Sequence, residues 1–247
     1  MSKIFERTEL LIGREGLIRL RAAHVMVVGA GGVGAFAAEF AARAGIGKLT
    51  VVDGDAVAES NRNRQLIALE STMERRKVAV LAERLRDAVG AEVVEVDRFL
   101  TAEDVAALLE AEADFVIDAI DSVPVKARLI FECERRGVPM VSSMGAAGKL
   151  DPAQIKVAPL GKTSHCPLAR AVRKAVRDLG GSDSVPTVFS PEPPPGNRLE
   201  FEDAGGGRRS APGVISYLPA AFGVFCAAEA VRHLLEKNAP ALEKPRI

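Results

Sequence analysis

Short apolar runs alternate with longer amphipathic stretches through the first part of this chain. His24–Val28, Lys48–Val52 and Glu92–Val96, with residues 114–120 and 138–141, are rich in branched side chains and bounded by turn residues, a pattern that predicts strands. Between them lie helical patterns. Residues 8–20 place Leu10, Leu11, Leu17, Ile18 and Leu20 among charges in a broken helical pattern, and 71–89 space Met73, Val78, Leu81, Leu85 and Val89 at helical intervals before Gly90. Thr101 and Asp104 resemble a capping box for a helix reaching Leu109, and residues 122–136 form another before Gly137. The alternation predicts an α/β fold, Rossmann-like and doubly wound, on a mostly parallel sheet to about residue 150.

After that point the rhythm changes. Residues 154–158 and Pro186–Phe189 read as strands of a smaller C-terminal α+β extension, 151–247, with a basic helix over 166–179 between them. Residues 190–213 are rich in proline and glycine and predict a long mobile loop. Residues 210–228 carry no charge, but Pro212, Gly213, Pro219 and Gly223 interrupt them and Glu229 follows, so a buried helix over 219–235 is expected rather than a stable membrane span.

Composition narrows the classes. Lysine and arginine number 33, as do aspartate and glutamate, so no global field attracts nucleic acid and any RNA contact needs a local patch. The three cysteines, Cys133, Cys166 and Cys226, form neither C-x-x-C pairs nor an even framework, which fits a reducing cytoplasm and argues against structural zinc. The start of the chain has no signal-peptide core, and a cytoplasmic protein is expected.

The chemistry concentrates between residues 24 and 77. Gly29, Gly31 and Gly34 fit G-x-G-x-x-G between a strand and an alanine-rich helix, and Gly31 and Gly32 let the backbone approach phosphates at a helix start. Asp53 follows at the next strand's end, where an acid takes ribose hydroxyls; Asp55, the run Ser60-Asn-Arg-Asn-Arg-Gln65 and Lys77 come after it. A nicotinamide needs no such cationic cluster, whereas a triphosphate does: arginine forks and a lysine point charge hold its oxygens as a phosphate leaves. Asp118 and Asp121 close the 114–120 strand at the edge where open α/β sheets bind ligands. Each residue has a plainer reading too: Asp53 and Asp55 as turn acids, Lys77 as a solvated lysine, Asp121 as a helix cap.

These motifs, Gly29–Gly34, Asp53 to Asp55, Ser60–Gln65, Lys77 and Asp118–Ser122, resemble the ThiF/MoeB-type adenylating family, relatives of ubiquitin-activating enzymes. Val116–Ile130, Gly161–Arg177, the Val188-Phe-Ser-Pro-Glu192 run and the apolar C-terminal helix, in this order, look like its tRNA threonylcarbamoyladenosine dehydratase branch, a resemblance that covers residues 4–236. The resemblance implies a 1–150 ATP-binding adenylation domain with ATP and Mg²⁺ as cofactors. It assigns catalytic roles to Arg7, Arg64, Lys77 and Asp121, with Asp121 also holding the metal. It gives nucleotide contacts to Gly29, Gly31, Gly32, Gly34, Asp53, Asp55, Asn61 and Gln65. Arg7 matches an arginine that relatives insert into the partner subunit's site, which implies a homodimer. Cysteine-bearing relatives leave two points open: a role for Cys166, and a cysteine desulfurase or sulfur-acceptor protein as partner.

Arg170, Arg173, Lys174 and Arg177 fall on one helical face. Alone this is a solvated stripe; with the resemblance it becomes a track for the phosphates of a tRNA anticodon arm, which Arg208 and Arg209 could extend. The expected activity is ATP-dependent cyclising dehydration of threonylcarbamoyladenosine in tRNA. An adenylyltransferase for a ubiquitin-like sulfur carrier and a non-enzymatic nucleotide-binding adaptor stand as alternatives.

Overall fold

The computed structural model describes residues 3–193, 198–202 and 208–236. Five parallel strands, β1 (His24–Val28), β2 (Lys48–Val52), β3 (Glu92–Val96), β4 (Phe115–Asp118) and β5 (Met140–Ser143), lie in the order β3-β2-β1-β4-β5. The order reverses between β1 and β4, which opens a crevice at the strands' carboxyl ends. Side chains alternate between two cores. Val25 and Val27 of β1 enter the one under α1 (Glu6–Ala22), α2 (Gly34–Ala44), α3 (Lys77–Val89) and α7 (Tyr217–Glu236). Met26 and Val28 enter the other, under α4 (Asp104–Leu108), α5 (Val123–Arg136) and α6 (Pro167–Asp178). The period of two along each strand builds both layers.

The segment after residue 150 extends this same sheet. The strand β7 (Pro186–Phe189) pairs parallel with β5, and β6 (Lys156–Pro159) pairs antiparallel with β7. Helix α7 packs along α2, with Gly223 so near the Val33 carbonyl that a Cβ would lie 2.6 Å from it. This helix is long and apolar enough to cross a membrane by length and composition; here its Leu218, Phe222, Cys226 and Ala230 fill the core.

Two expectations are revised, and the break in the 8–20 pattern is located. Residues 71–89 are not one helix: Glu74 has φ of 63°, residues 73–76 run back along 55–57, and α3 begins only at Lys77. Within α1 the chain kinks at Gly13, whose φ of 74° is open to glycine. The 190–213 loop carries a two-stranded antiparallel ladder, β8 (Arg198–Glu202) with β9 (Arg208–Pro212), where apolar Leu199 and Phe201 alternate with charges. The remainder of that loop, 194–197 and 203–207, lies outside the described residues.

An ion pair sits at the centre. Asp118 and Lys126 have no solvent exposure. Lys126 Nζ donates to Asp118 Oδ2 at 2.8 Å, Ser142 Oγ at 3.2 Å and the Ser143 carbonyl at 2.9 Å, so all three of its donors are used. Lys126→Met should therefore strand a buried carboxylate and cost about 3–5 kcal/mol of stability, read as a lower urea midpoint. An unchanged midpoint would contradict this.

Candidate active site

The crevice beside the reversal point is a cavity of about 450 Å³. Its floor is the turn from β1 into α2. Gly29 has φ of 98°, and a Cβ there would lie 2.8 Å from the Ala119 carbonyl, so only glycine permits this approach of the β1 and β4 ends. The cavity lies at the start of α2, a setting that favours anions. Asp53, at the end of β2, braces that floor: its Oδ2 accepts from Ala30 N at 2.7 Å and its Oδ1 from Asp55 N at 2.8 Å. Its carboxylate keeps unused lone pairs within the cavity wall.

The cations converge from two directions. Because residues 73–76 turn back along 55–57 instead of continuing a helix, Lys77 opens α3 with its backbone N–H on the Asp55 carbonyl at 3.0 Å, and the residue is only 4% exposed. Its Nζ donates to Asp55 Oδ2 at 2.7 Å, which leaves two hydrogens for a ligand. Arg64 reaches in from the polar loop, its Nη1 donating to the Ser60 carbonyl at 2.8 Å and to Asn63 Oδ1 at 2.9 Å. Asn61 fastens the same loop, taking Ala58 N on its Oδ1 at 3.2 Å. The Gln65 Oε1 is buried with no partner among the described residues, an acceptor waiting for a donor.

Opposite them stands the loop from β4 to α5. Asp118 takes Ile120 N on Oδ1 at 3.3 Å and Ser142 Oγ on Oδ2 at 2.6 Å, and Asp121 follows, exposed at the cavity. Asp118 thus supports the loop and faces no ligand. Ser122 stands at the N-cap of α5 without a side-chain capping bond.

Gly29, Gly31, Gly32, Asp53, Asp55, Asn61, Arg64, Gln65, Lys77 and Asp121 therefore share one cavity, with Gly34 packed beneath its floor. Arg7 does not join them in its own chain; it is exposed on α1. The sequence reading missed Arg98, Phe99 and Leu100, which wall the cavity after β3, and Ala146, Ala147, Val214 and Pro219 on its far side. The carboxyl-edge rule applied to β3 and β5 would have flagged the first three and the alanines. Val214 and Pro219 become visible only once α7 is folded back across α2. Arg76 secures the β3 end through a forked bond to Asp97, which holds that carboxyl below the usual carboxylate range.

The chain belongs to the ThiF family. Its model matches residues 5–246. The tRNA threonylcarbamoyladenosine dehydratase of Bacillus subtilis is 43% identical over 191 residues, which are 77% of this chain and 75% of that one. That of Haemophilus influenzae is 36% identical over 241 residues, 91% of this chain and 90% of its own. The crystal structure of the E. coli tRNA N6-threonylcarbamoyladenosine dehydratase in complex with ATP superposes with a TM-score of 0.86 at 38% identity, over 94% of each chain.

The remaining sequence candidates lie elsewhere. The basic residues of α6 line a shallow recess of about 290 Å³, but three are engaged: Arg173 with the Thr163 hydroxyl at 3.0 Å, Lys174 with Asp178 at 2.6 Å and Arg177 with Asp183 at 2.5 Å. Cys166 caps α6, its Sγ accepting from Ala169 N at 3.4 Å, and is buried. Burial pushes the Cys133 and Cys226 thiols up to about 12. At pH 8 only about one in ten thousand of each is then thiolate. Native protein should leave both unlabelled by iodoacetamide at that pH, while unfolded protein should expose all three; native labelling at either, located by peptide mass mapping, would contradict the burial.

Proposed function

We propose that the protein uses ATP to dehydrate the threonylcarbamoyl group of a tRNA adenosine, closing it into a ring. The observation that carries this reading is the meeting of Arg64, Lys77 and Asp121 around one phosphate-binding glycine turn, in a chain so similar to the dehydratases above. In the reaction, a carboxylate oxygen of the threonyl group attacks the α-phosphorus of ATP and pyrophosphate leaves. A carbamoyl atom then attacks the activated acyl carbon, loses its proton, and AMP departs with the former carboxylate oxygen. The net loss from the nucleoside is one water.

The residues fit these partners. Asp53 presents free lone pairs to ribose hydroxyls, Gln65 an unpaired acceptor, and Phe99 and Leu100 an apolar wall for a base. Lys77 and Arg64 offer two and three unused donors respectively to phosphate oxygens. Mg²⁺ suits a site where Asp121 is exposed and Asp55 is already paired with Lys77, because it takes one or two carboxylates and completes its shell with phosphate oxygens and waters. Asp121 would hold it, and the ion would neutralise charge on the phosphates. The chain itself positions and neutralises; no acid or base residue has to move a proton at the phosphorus.

Arg170 and its neighbours on α6 would carry the phosphates of the tRNA arm, in the cytoplasm where tRNA resides. A second copy of the chain would complete the site. Arg7 stands on α1 beside Leu10 and Leu11, which are 82% and 84% exposed, so the helix that bears it also bears an apolar face suited to a partner.

With ATP, Mg²⁺ and tRNA bearing threonylcarbamoyladenosine, released nucleosides should include one lighter by a water. Asp121→Ala should abolish that product while leaving the unfolding free energy within about 0.5 kcal/mol of wild type, since the residue is exposed. Unchanged nucleoside mass with wild-type protein would overturn the reading, and turnover by the variant would remove Asp121 from it. Mixing Arg7→Ala with Asp121→Ala chains should restore activity, because each heterodimer regains one intact site. Inactive mixtures with exchange verified by native mass spectrometry would leave Arg7 outside a shared site.

A further inference from the structure

Asn63 stands between the catalytic loop and a distant part of the chain. Its Oδ1 accepts from Arg64 Nη1 at 2.9 Å, and its Nδ2 donates to the Val214 carbonyl at 3.1 Å. Chemistry fixes this orientation of the amide: turned over, it would set its NH₂ against a guanidinium and its oxygen against a carbonyl. The Val214 segment is itself fastened across the cavity mouth. Gly148 N donates to the Gly213 carbonyl at 2.9 Å, and Tyr217 Oη donates to the Leu150 carbonyl at 2.9 Å. Residues 213–217 thus form a strap from the loop after β5 to the polar loop of Arg64, and Val214 walls the cavity.

The Arg64 guanidinium has five N–H donors. Nη1 spends both of its own on the Ser60 carbonyl and Asn63. Nε and Nη2 remain on the other edge of the fork, where a planar group held along one side presents a fixed pair of donors. Without Asn63, one anchor is left, and rotation about the end of the side chain is free to turn that edge from the phosphates.

We infer that Asn63 is a positioning residue for the adenylation step, one that acts through Arg64 by locking its guanidinium to the strap over the cavity. It touches no reacting atom. Orientation of a charge-stabilising group matters most where charge develops, so its loss slows turnover more than it weakens binding of ATP. The inference rests on the catalytic reading of Arg64 given above. Asn63 is exposed, so its replacement by alanine removes two polar contacts and no core packing.

The test is a double-mutant cycle of Asn63→Ala and Arg64→Ala, read as pyrophosphate release with saturating ATP, Mg²⁺ and tRNA bearing threonylcarbamoyladenosine, together with the KM for ATP. Asn63→Ala should lower kcat about tenfold, the effect of one hydrogen bond to a charged group, with KM changed by less than about twofold. In the Arg64→Ala background the same replacement should change kcat by less than about twofold, since its target is gone. The same tenfold loss in both backgrounds, or full activity in Asn63→Ala, would overturn the inference. Arg64→Ala at the wild-type rate would overturn the reading of Arg64 and the inference with it. Wild-type protein that releases no pyrophosphate with this tRNA would instead overturn the substrate assignment, a result distinct from either pattern among the variants.

Discussion

A lysine and an aspartate without solvent contact set the frame of the site. Two charges removed from water are tolerated only when each is hydrogen-bonded as well as paired, and Asp118 and Lys126 meet that demand by drawing on three separate segments. Asp118 ends β4 and turns the loop that carries Asp121; Lys126 sits in the first turns of α5; Ser142 and Ser143 end β5 just before Ala146 and Ala147. None of the three can shift without stranding a buried charge. The far wall of the cavity is therefore rigid for an electrostatic reason, although neither charge faces the ligand.

The near wall is organised differently. Lys77 is buried but paired with an exposed acid, and Arg64 is anchored by neutral oxygens, so both cations arrive with donors in reserve. Asp53 spends one bond on each of its oxygens to hold the glycine turn. Charges fixed by the fold before a ligand arrives stabilise developing charge without reorganising, which is where such a site gains most. The same economy appears on α6. Three of its four basic groups already have partners, and those bonds to Thr163, Asp178 and Asp183 hold the cations in place rather than leaving them to sweep through solvent.

Within the sequence itself, the strand and helix periods of the first 150 residues, the glycine turn and the placement of Asp53 and Asp121 after strands were legible, because each depends on a local period or a short spacing. That these cations and acids would meet was legible too, since they cluster within one short stretch of the chain and share one cavity in the structure. What stayed hidden was long-range. That β6 and β7 extend the same sheet, and that α7 returns along α2 to bring Val214 and Pro219 over the cavity, are decided by contacts between segments far apart in the chain. The start of α3 shows the reason in small compass. Residues 71–89 have helical spacing throughout, yet hydrogen bonds to 55–57 hold 74–76 out of the helix and seat Lys77 in the wall. Local preference proposes a conformation, and the hydrogen bonds that a buried backbone must make choose among the proposals.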